Sequence, residues 1–386
     1  MDRFAFMIHP EDPKGDVTRK FPLLGRYLPV GAIDYFCQFF PPLNISHIAG
    51  LKSAVTGKEV EGWFVACPLT PAAMLNLPLD KVYRKIIRTG RLAERLGVQI
   101  VGLGAFTKVV GDAGVTVSKK LNVAVTTGNS YTVALAVQGI LEAARRMEIS
   151  LASASAAVVG ATGSIGAVCS QMLARSVAHV LLVGRRAERL AQVRRRVEAI
   201  GGAKVSVFTE VRPIRQADLV VTVTSDIETI IDTHHLKPGA VVCDVARPRD
   251  VSQRVVEERK DVLVIEGGLV TMPGEVDFGF DYGLPPNLTF GCMAETMILA
   301  LEGRFENYTL GRDLTVEQVD EIAELGHRHG FDLAGFRSFD HFLSDEQIEI
   351  VKKNAFQKRS WTGLQFGEKG QATDNKQRAL GEFWGL

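Results

Sequence analysis

The sequence predicts an α/β protein, a Rossmann-type doubly wound parallel sheet preceded by a smaller α/β substrate domain. Three observations predict it. An apolar run, Ala156 to Val159, feeds a turn with glycines at 160, 163 and 166, and the turn opens a segment with Ile165, Val168, Met172 and Leu173 at helical spacing. Short apolar runs then alternate with helical patterns as far as Gly268, as buried parallel strands and their crossovers do. The 386 residues are enough for two domains with cores of their own. The expected division is a substrate domain over 1–152 and a dinucleotide-binding domain over 153–290. A helix and its return to the first domain follow over 291–335, then a partly disordered extension over 336–386.

Charge nearly cancels, with 45 basic and 44 acidic side chains, so no global field points to nucleic acid or to an anionic membrane. Any charged docking site must be local, and contact with a membrane surface stays open. The 5 cysteines are dispersed and lack a C-x-x-C pair, which argues against a disulfide framework or a zinc site and suits a reducing compartment. Phe4 to Ile8 is too short for a signal peptide, and no apolar run approaches the roughly 20 residues that span a bilayer. A cytoplasmic protein is expected.

In the first domain, Phe4 to Ile8, Trp63 to Cys67 and Val98 to Leu103 read as strands, and Leu79 to Leu96 as a helix closed by Gly97. On that helix Arg84, Arg88, Arg91 and Arg95 share one face, with Lys81 and Lys85 beside them. The stripe is either a solvated face or a dock for an acidic partner. The aromatic stretch from Tyr35 to Phe40 is either core or the wall of an apolar pocket. Thr126-Thr127-Gly128-Asn129 precedes a long amphipathic segment ending near Met147, with Thr127 or Asn129 as its N-cap.

In the second domain, Gly160 permits the tight turn, Gly163 lets backbone approach a pyrophosphate, and Gly166 lets the helix pack on the strand. Gly160, Thr162, Gly163, Ser164 and Ile165 are therefore the expected phosphate contacts, at a helix start whose free N–H groups favour anions. Further strands are expected over Val180 to Val183, Lys204 to Phe208, Asp218 to Val223, Ala240 to Cys243 and Val262 to Ile265, with a helix over Ala187 to Ile200. Ligands in such a sheet bind beyond the C-terminal strand ends, which places Thr224, Ser225, Ala246 and Gly268 on the rim of one cleft. The second strand ends in Gly184-Arg185-Arg186, where an NAD site would carry an acid. Two guanidiniums there suit the 2′-phosphate of NADPH. Arg194 to Arg196 read as a solvated face.

Gly274 to Pro286 reads as a long loop across the cleft, leading into a helix that starts near Cys292 and runs to about Glu302. A cysteine in the first turn of a helix is expected to have a lowered pKa and to be nucleophilic; the alternative is a small core residue. Cys37, Cys67, Cys169 and Cys243 read as core. His327 and His329 are the histidines nearest in sequence and read as polar residues of a surface helix. A helix over Asp345 to Phe356 is expected, then a disordered tail from Gly367 to Arg378, with Phe383-Trp384 able to tuck onto a subunit of a homo-oligomer.

The order and spacing of Thr126-Thr127-Gly128-Asn129, Gly160 to Gly166, Gly267-Gly268 and Phe290-Gly291-Cys292-Met293-Ala294-Glu295 resemble the cyanobacterial long-chain acyl-[acyl-carrier-protein] reductases. The resemblance runs from about residue 30 to His329-Gly330-Phe331. It implies that Cys292 is acylated by a thioester of an acyl carrier protein, or of coenzyme A, and that NADPH reduces the acyl-enzyme to a fatty aldehyde. The expected donors to the oxyanion are the N–H groups at the start of the Cys292 helix or the Asn129 amide, which makes Asn129 a candidate catalytic partner of Cys292. Asp218-Leu219-Val220 and Asp244 to Asp250 resemble the NADPH domain of glutamyl-tRNA reductases, and the layout is similar to shikimate dehydrogenases. Two alternatives follow: an NADP oxidoreductase without covalent catalysis, or a dinucleotide-binding protein without turnover.

Overall fold

The computed structural model describes residues 1–224, 229–246 and 249–359. Ser225, Arg247, Pro248, the tail Gly367 to Arg378 and Phe383-Trp384 lie outside the described residues.

The chain opens with β1 (Asp2–Ile8), followed by three short helices, α1 (Pro13–Lys20), α2 (Pro22–Tyr27) and α3 (Val30–Phe36). Prolines and glycines punctuate this region too often for one long helix. Next come β2 (Leu43–Lys52), β3 (Glu59–Ala66), α4 (Pro71–Asn76), α5 (Leu79–Arg95), β4 (Ile100–Leu103), α6 (Phe106–Val109), α7 (Val115–Ser118) and β5 (Ala124–Thr126). Strands β3, β1, β4 and β5 are parallel neighbours, and β2 runs antiparallel along β3. The sequence reading missed β2. Its register shifts between Asn44 and Ser46 and again between Ile48 and Leu51, and such bulges break the two-residue alternation that marks a strand.

Helix α8 (Asn129–Arg146) leads to the second sheet. The expected amphipathic pattern does not hold over its first half, where every residue from Asn129 to Val137 is buried. A helix segment buried on all sides serves as an internal strut. It packs against α9 (Ser164–Ala174), which follows β6 (Ser155–Val159). Then come β7 (His179–Val183), α10 (Ala187–Ile200), β8 (Lys204–Phe208), β9 (Leu219–Thr222), β10 (Val241–Asp244), α11 (Gln253–Glu258) and β11 (Leu263–Glu266). All six strands are parallel in the order β11-β10-β9-β6-β7-β8. This is the classical dinucleotide-fold order, and its switch point lies between β6 and β9.

The chain then returns to the first unit. Strands β12 (Leu269–Thr271), β13 (Gly274–Asp277) and β14 (Leu288–Phe290) lead into α12 (Gly291–Glu302). The expected loop over Gly274 to Pro286 is in part a strand, because β13 adds itself antiparallel to β2 at the edge of the first sheet. Phe278 anchors it by stacking on Phe64 at 5.4 Å. Helix α12 packs on β1, β3 and β4 and against α8. After α13 (Val316–His329) and β15 (Asp332–Leu333), a hairpin of β16 (Arg337–Ser338) and β17 (His341–Phe342) precedes a helix, α14, over 345–359. Ion pairs Arg146–Asp345 at 2.5 Å and Lys358–Asp261 at 3.0 Å dock α14 on the second unit.

Candidate functional site

The glycine turn takes the geometry its sequence requires. Gly160 sits at φ +87°, a conformation a side chain would strain, and a Cβ at Gly166 would stand 2.3 Å from the Gly160 carbonyl oxygen. Gly163 caps α9 without any side-chain hydrogen bond, so the first N–H groups of that helix stay open to an anion. Thr162, Gly163, Ser164 and Ile165 all line the cavity in front of it.

At the end of β7, Arg185 and Arg186 are exposed and face the same cavity, and Arg189 on the next turn joins them. The sequence reading missed Arg189, which stands three residues past Arg186 and so on the same helical face. No carboxylate occupies the β7 terminus. The rim residues are organised by two buried acids. Asp250 accepts from the Thr224 N–H at 3.0 Å and from its hydroxyl at 2.5 Å, and Asp244 accepts from the Ala246 N–H at 3.0 Å. Thr224 therefore turns its hydroxyl inward. The open helix start, the absent acid and the arginines together fit NADP(H) rather than NAD(H).

Opposite this cradle stand two helix N-termini in contact. Gly128, at φ +71°, caps α8, and a Cβ on it would lie 2.2 Å from the Cys292 Cα. Neither Thr127 nor Asn129 is the N-cap. Thr127 donates instead to the Thr309 carbonyl at 2.6 Å. The cap is supplied from α12 by Glu295, which is fully buried. Its carboxylate accepts from the N–H groups of Gly128 at 3.1 Å and Tyr131 at 3.0 Å, and from the hydroxyls of Ser130 at 2.5 Å and Thr309 at 2.7 Å. Thr126 also donates to it. One carboxylate thus satisfies N–H groups that begin α8 and holds that helix against the one carrying Cys292. Sequence reasoning quoted Glu295 in a motif without seeing this role.

Cys292 is half-buried on the cavity wall. The expected lowered pKa does not hold: burial pushes the thiol up, Lys108 and the Met293 N–H partly offset this, and Glu11 and Glu295 add to it. Asn129 faces the same cavity with its Oδ1 buried and lacking a hydrogen-bond partner. His9, missed in the sequence, also lines it. Its Nε2 accepts from the Phe106 N–H at 3.0 Å and its Nδ1 meets the Pro10 carbonyl at 3.3 Å. Burial holds its pKa down at about 4, so the ring is neutral and both nitrogens are engaged. His329 is no surface residue. It is buried between Ser53 at 2.9 Å and Glu302 at 2.8 Å, at the far end of α12 and about 15 Å along the helix from Cys292. His327 is exposed, as expected.

The cavity measures about 1320 Å³ and lies between the two sheets. Every expected site residue except Ser225, which lies outside the described residues, lines it. The first unit lines it with apolar residues such as Ile8, Ile33, Phe40 and Ile45, and with charged ones including Glu11, Asp16, Arg19 and Lys20.

Fold and site define a two-unit α/β protein with a dinucleotide cradle facing a cysteine at a helix start. The sequence model of the shikimate/quinate 5-dehydrogenase family matches residues 142–266. Over 311 residues the chain is 29% identical to the long-chain acyl-[acyl-carrier-protein] reductase of Synechococcus elongatus, covering 77% of this chain and 89% of that protein. The resemblance read from the motifs thus extends across both units. A stretch of 323 residues, 81% of this chain, is 30% identical to the aminotransferase PigE of a Serratia strain. It spans only 36% of that protein's length. Among solved structures, L-tryptophan dehydrogenase of Nostoc punctiforme aligns with 92% of this chain and 88% of its own at 14% identity and a TM-score of 0.39. Shikimate 5-dehydrogenase of Listeria monocytogenes aligns with 84% and 96% at 11% identity and a TM-score of 0.36. No described helix is long and apolar enough to cross a membrane.

Proposed function

We propose that this protein is an NADPH-dependent oxidoreductase that reduces a fatty acyl thioester, carried by acyl carrier protein or coenzyme A, to the aldehyde. The observation that carries the reading is the placement of Cys292 and Asn129 at two abutting helix starts, across one cavity from the Gly160–Ile165 cradle and Arg185–Arg186. Support comes from the motif resemblance and its extension over both units.

In this reading Cys292, as thiolate, attacks the thioester carbonyl, and the carrier thiol leaves with the electron pair of the broken C–S bond. Because burial favours the neutral thiol, substrate binding must assist ionisation, and Lys108 is the nearby cation that stabilises the thiolate. The oxyanion accepts from the N–H groups at the start of α12 or from the Nδ2 amide of Asn129, which lines the same cavity. NADPH, when bound, supplies the reducing equivalent that converts the acyl group to the aldehyde level. Cys292 then departs from the thiohemiacetal carbon as thiolate, releasing aldehyde. The apolar residues of the first unit, among them Ile8, Ile33, Phe40 and Ile45, take the acyl chain.

The test is mass spectrometry of the protein mixed with an acyl thioester in the absence of NADPH. An acyl adduct on Cys292 is expected, and Cys292→Ala should abolish both adduct and turnover. Full turnover by Cys292→Ala would favour the second reading, to which the dehydrogenase-family match over 142–266 lends weight: an alcohol-oxidising enzyme without covalent catalysis.

A further inference from the structure

The first unit concentrates exposed apolar side chains in one place. Leu23, Tyr27, Tyr35, Phe36, Phe39 and Phe40 lie within 18 residues of one another and are each between 48 and 73% exposed. None belongs to the hydrophobic core clusters. Instead Tyr35 packs edge-on against Phe36 at 5.2 Å and Phe39 at 5.6 Å, an aromatic cluster outside the core. Single exposed apolar residues are ordinary, but six within one 18-residue stretch, three of them in ring contact, mark an interaction surface.

Charge indicates what covers it. Residues 17–42 carry Arg19, Lys20 and Arg26 against one acid, Asp34, whose Oδ1 is buried. Arg26 stands 5.9 Å over the Tyr27 ring. The neighbouring acids of α1 are turned to local use: Asp12 accepts from the Lys14 N–H, and Asp16 pairs with Arg19 at 2.9 Å. The patch is therefore apolar at its centre and basic at its edge, with its one acid, Asp34, partly withdrawn from the surface. Tyrosines and cations beside exposed aliphatic and phenyl groups are the composition of a segment lying at the headgroup level of a bilayer.

The patch also continues into the molecule. Phe36 and Phe40 are exposed on the outside and line the cavity within, as do Leu28 and Ile33. An apolar chain moving between cavity and patch meets Phe36 and Phe40 on both sides. We propose that helices α2 and α3 with Phe39 and Phe40 dock this protein on the surface of an anionic lipid bilayer, with the cavity mouth facing the lipid. Docking stands on exposure and charge alone; only the further consequence, that the fatty aldehyde leaves directly into the membrane, rests on the function proposed above.

The experiment is cosedimentation of the full chain with sucrose-loaded vesicles, without NADPH or thioester. Phosphatidylcholine vesicles containing about one third phosphatidylglycerol should bind it, phosphatidylcholine alone more weakly, and added salt should weaken the anionic case. The triple variant Leu23→Ser/Tyr27→Ser/Phe39→Ser, checked for an unchanged melting temperature, should lose binding by about tenfold or more. The pair Ile200→Ser/Phe356→Ser, exposed elsewhere, should bind as the native chain does. Absence of vesicle binding by the native protein overturns the proposal, as does equal loss in both variants. A native dimer that fails to bind vesicles and that the triple substitution splits assigns the patch to a second copy. A triple variant that binds vesicles normally but loses turnover of carrier-bound substrate assigns it to the carrier. A missing acyl adduct on Cys292 would sink the proposed function and leave the vesicle result standing.

Discussion

Glu295 acts on Cys292 in two opposed ways. Its negative charge is one of the influences that raise the thiol's pKa, while its hydrogen bonds hold the start of α8, with Gly128 and Asn129, against the cysteine. Glu295→Gln keeps the shape but removes the charge and turns an amide toward donor N–H groups. The change should cost about 1.5 to 3 kcal/mol of stability, the range for hydrogen bonds to a charged group. Thiol alkylation at Cys292 should then shift to lower pH, because a repelling charge has gone, while acylation by substrate slows. A purely structural Glu295 would lower the melting temperature and leave the alkylation profile where it was. Arg185 and Arg186 support a second residue-scale prediction. A guanidinium–phosphate bond contributes about 1.5 to 3 kcal/mol, so changing both to apolar residues should erase most of a preference for NADPH over NADH. Equal use of both cofactors by the native protein would count against that assignment. Arg189 on the same face would temper the effect and is the next residue to change.

Helix α5 shows how a pattern read correctly in sequence is narrowed by its surroundings. The four arginines do share an exposed face. Arg84, however, pairs with Asp80 at 2.8 Å, and Lys85 turns inward to donate to the carbonyls of Gln38 and Phe40 at 2.7 Å each. Arg88, Arg91 and Arg95 remain as the part able to meet an acidic carrier, whose approach a basic stripe would steer. Charge reversal at Arg88 and Arg91 should therefore raise KM for carrier-bound substrate far more than for a short acyl thioester of a neutral thiol, and the difference should shrink with salt. If both substrates respond alike, the stripe is a solvated face. The other elements were legible in proportion to how local their causes are. Helix α5 and the helix at Cys292 fall where periodicity and flanking glycines place them. The bulged β2 and the proline-broken α1 to α3 did not announce themselves, because their period is interrupted at each bulge or proline.

At the scale of the molecule, the site exists because the chain leaves the first unit at α8, builds the parallel sheet, and returns through β13 and α12 to pack on the sheet it started from. The amino-acid sequence alone pointed to the dinucleotide unit, the glycine turn from Gly160 to Gly166 and the arginines after β7, whereas the strand order that sets the switch point came from pairing in the folded sheet. The features read from sequence depend on residues adjacent in the chain, where glycine, apolar period and charge act directly on the backbone. The tertiary structure alone decided that β13 joins the first sheet, that Tyr35 to Phe40 stand largely outside the core, and that the Cys292 thiol is raised rather than lowered. It also decided that α8 is capped by a carboxylate 165 residues from Ser130. Desolvation and buried hydrogen bonds are set by groups far apart in sequence that only folding brings together. Helix-start position would lower the Cys292 pKa, and burial among those distant groups outweighs it.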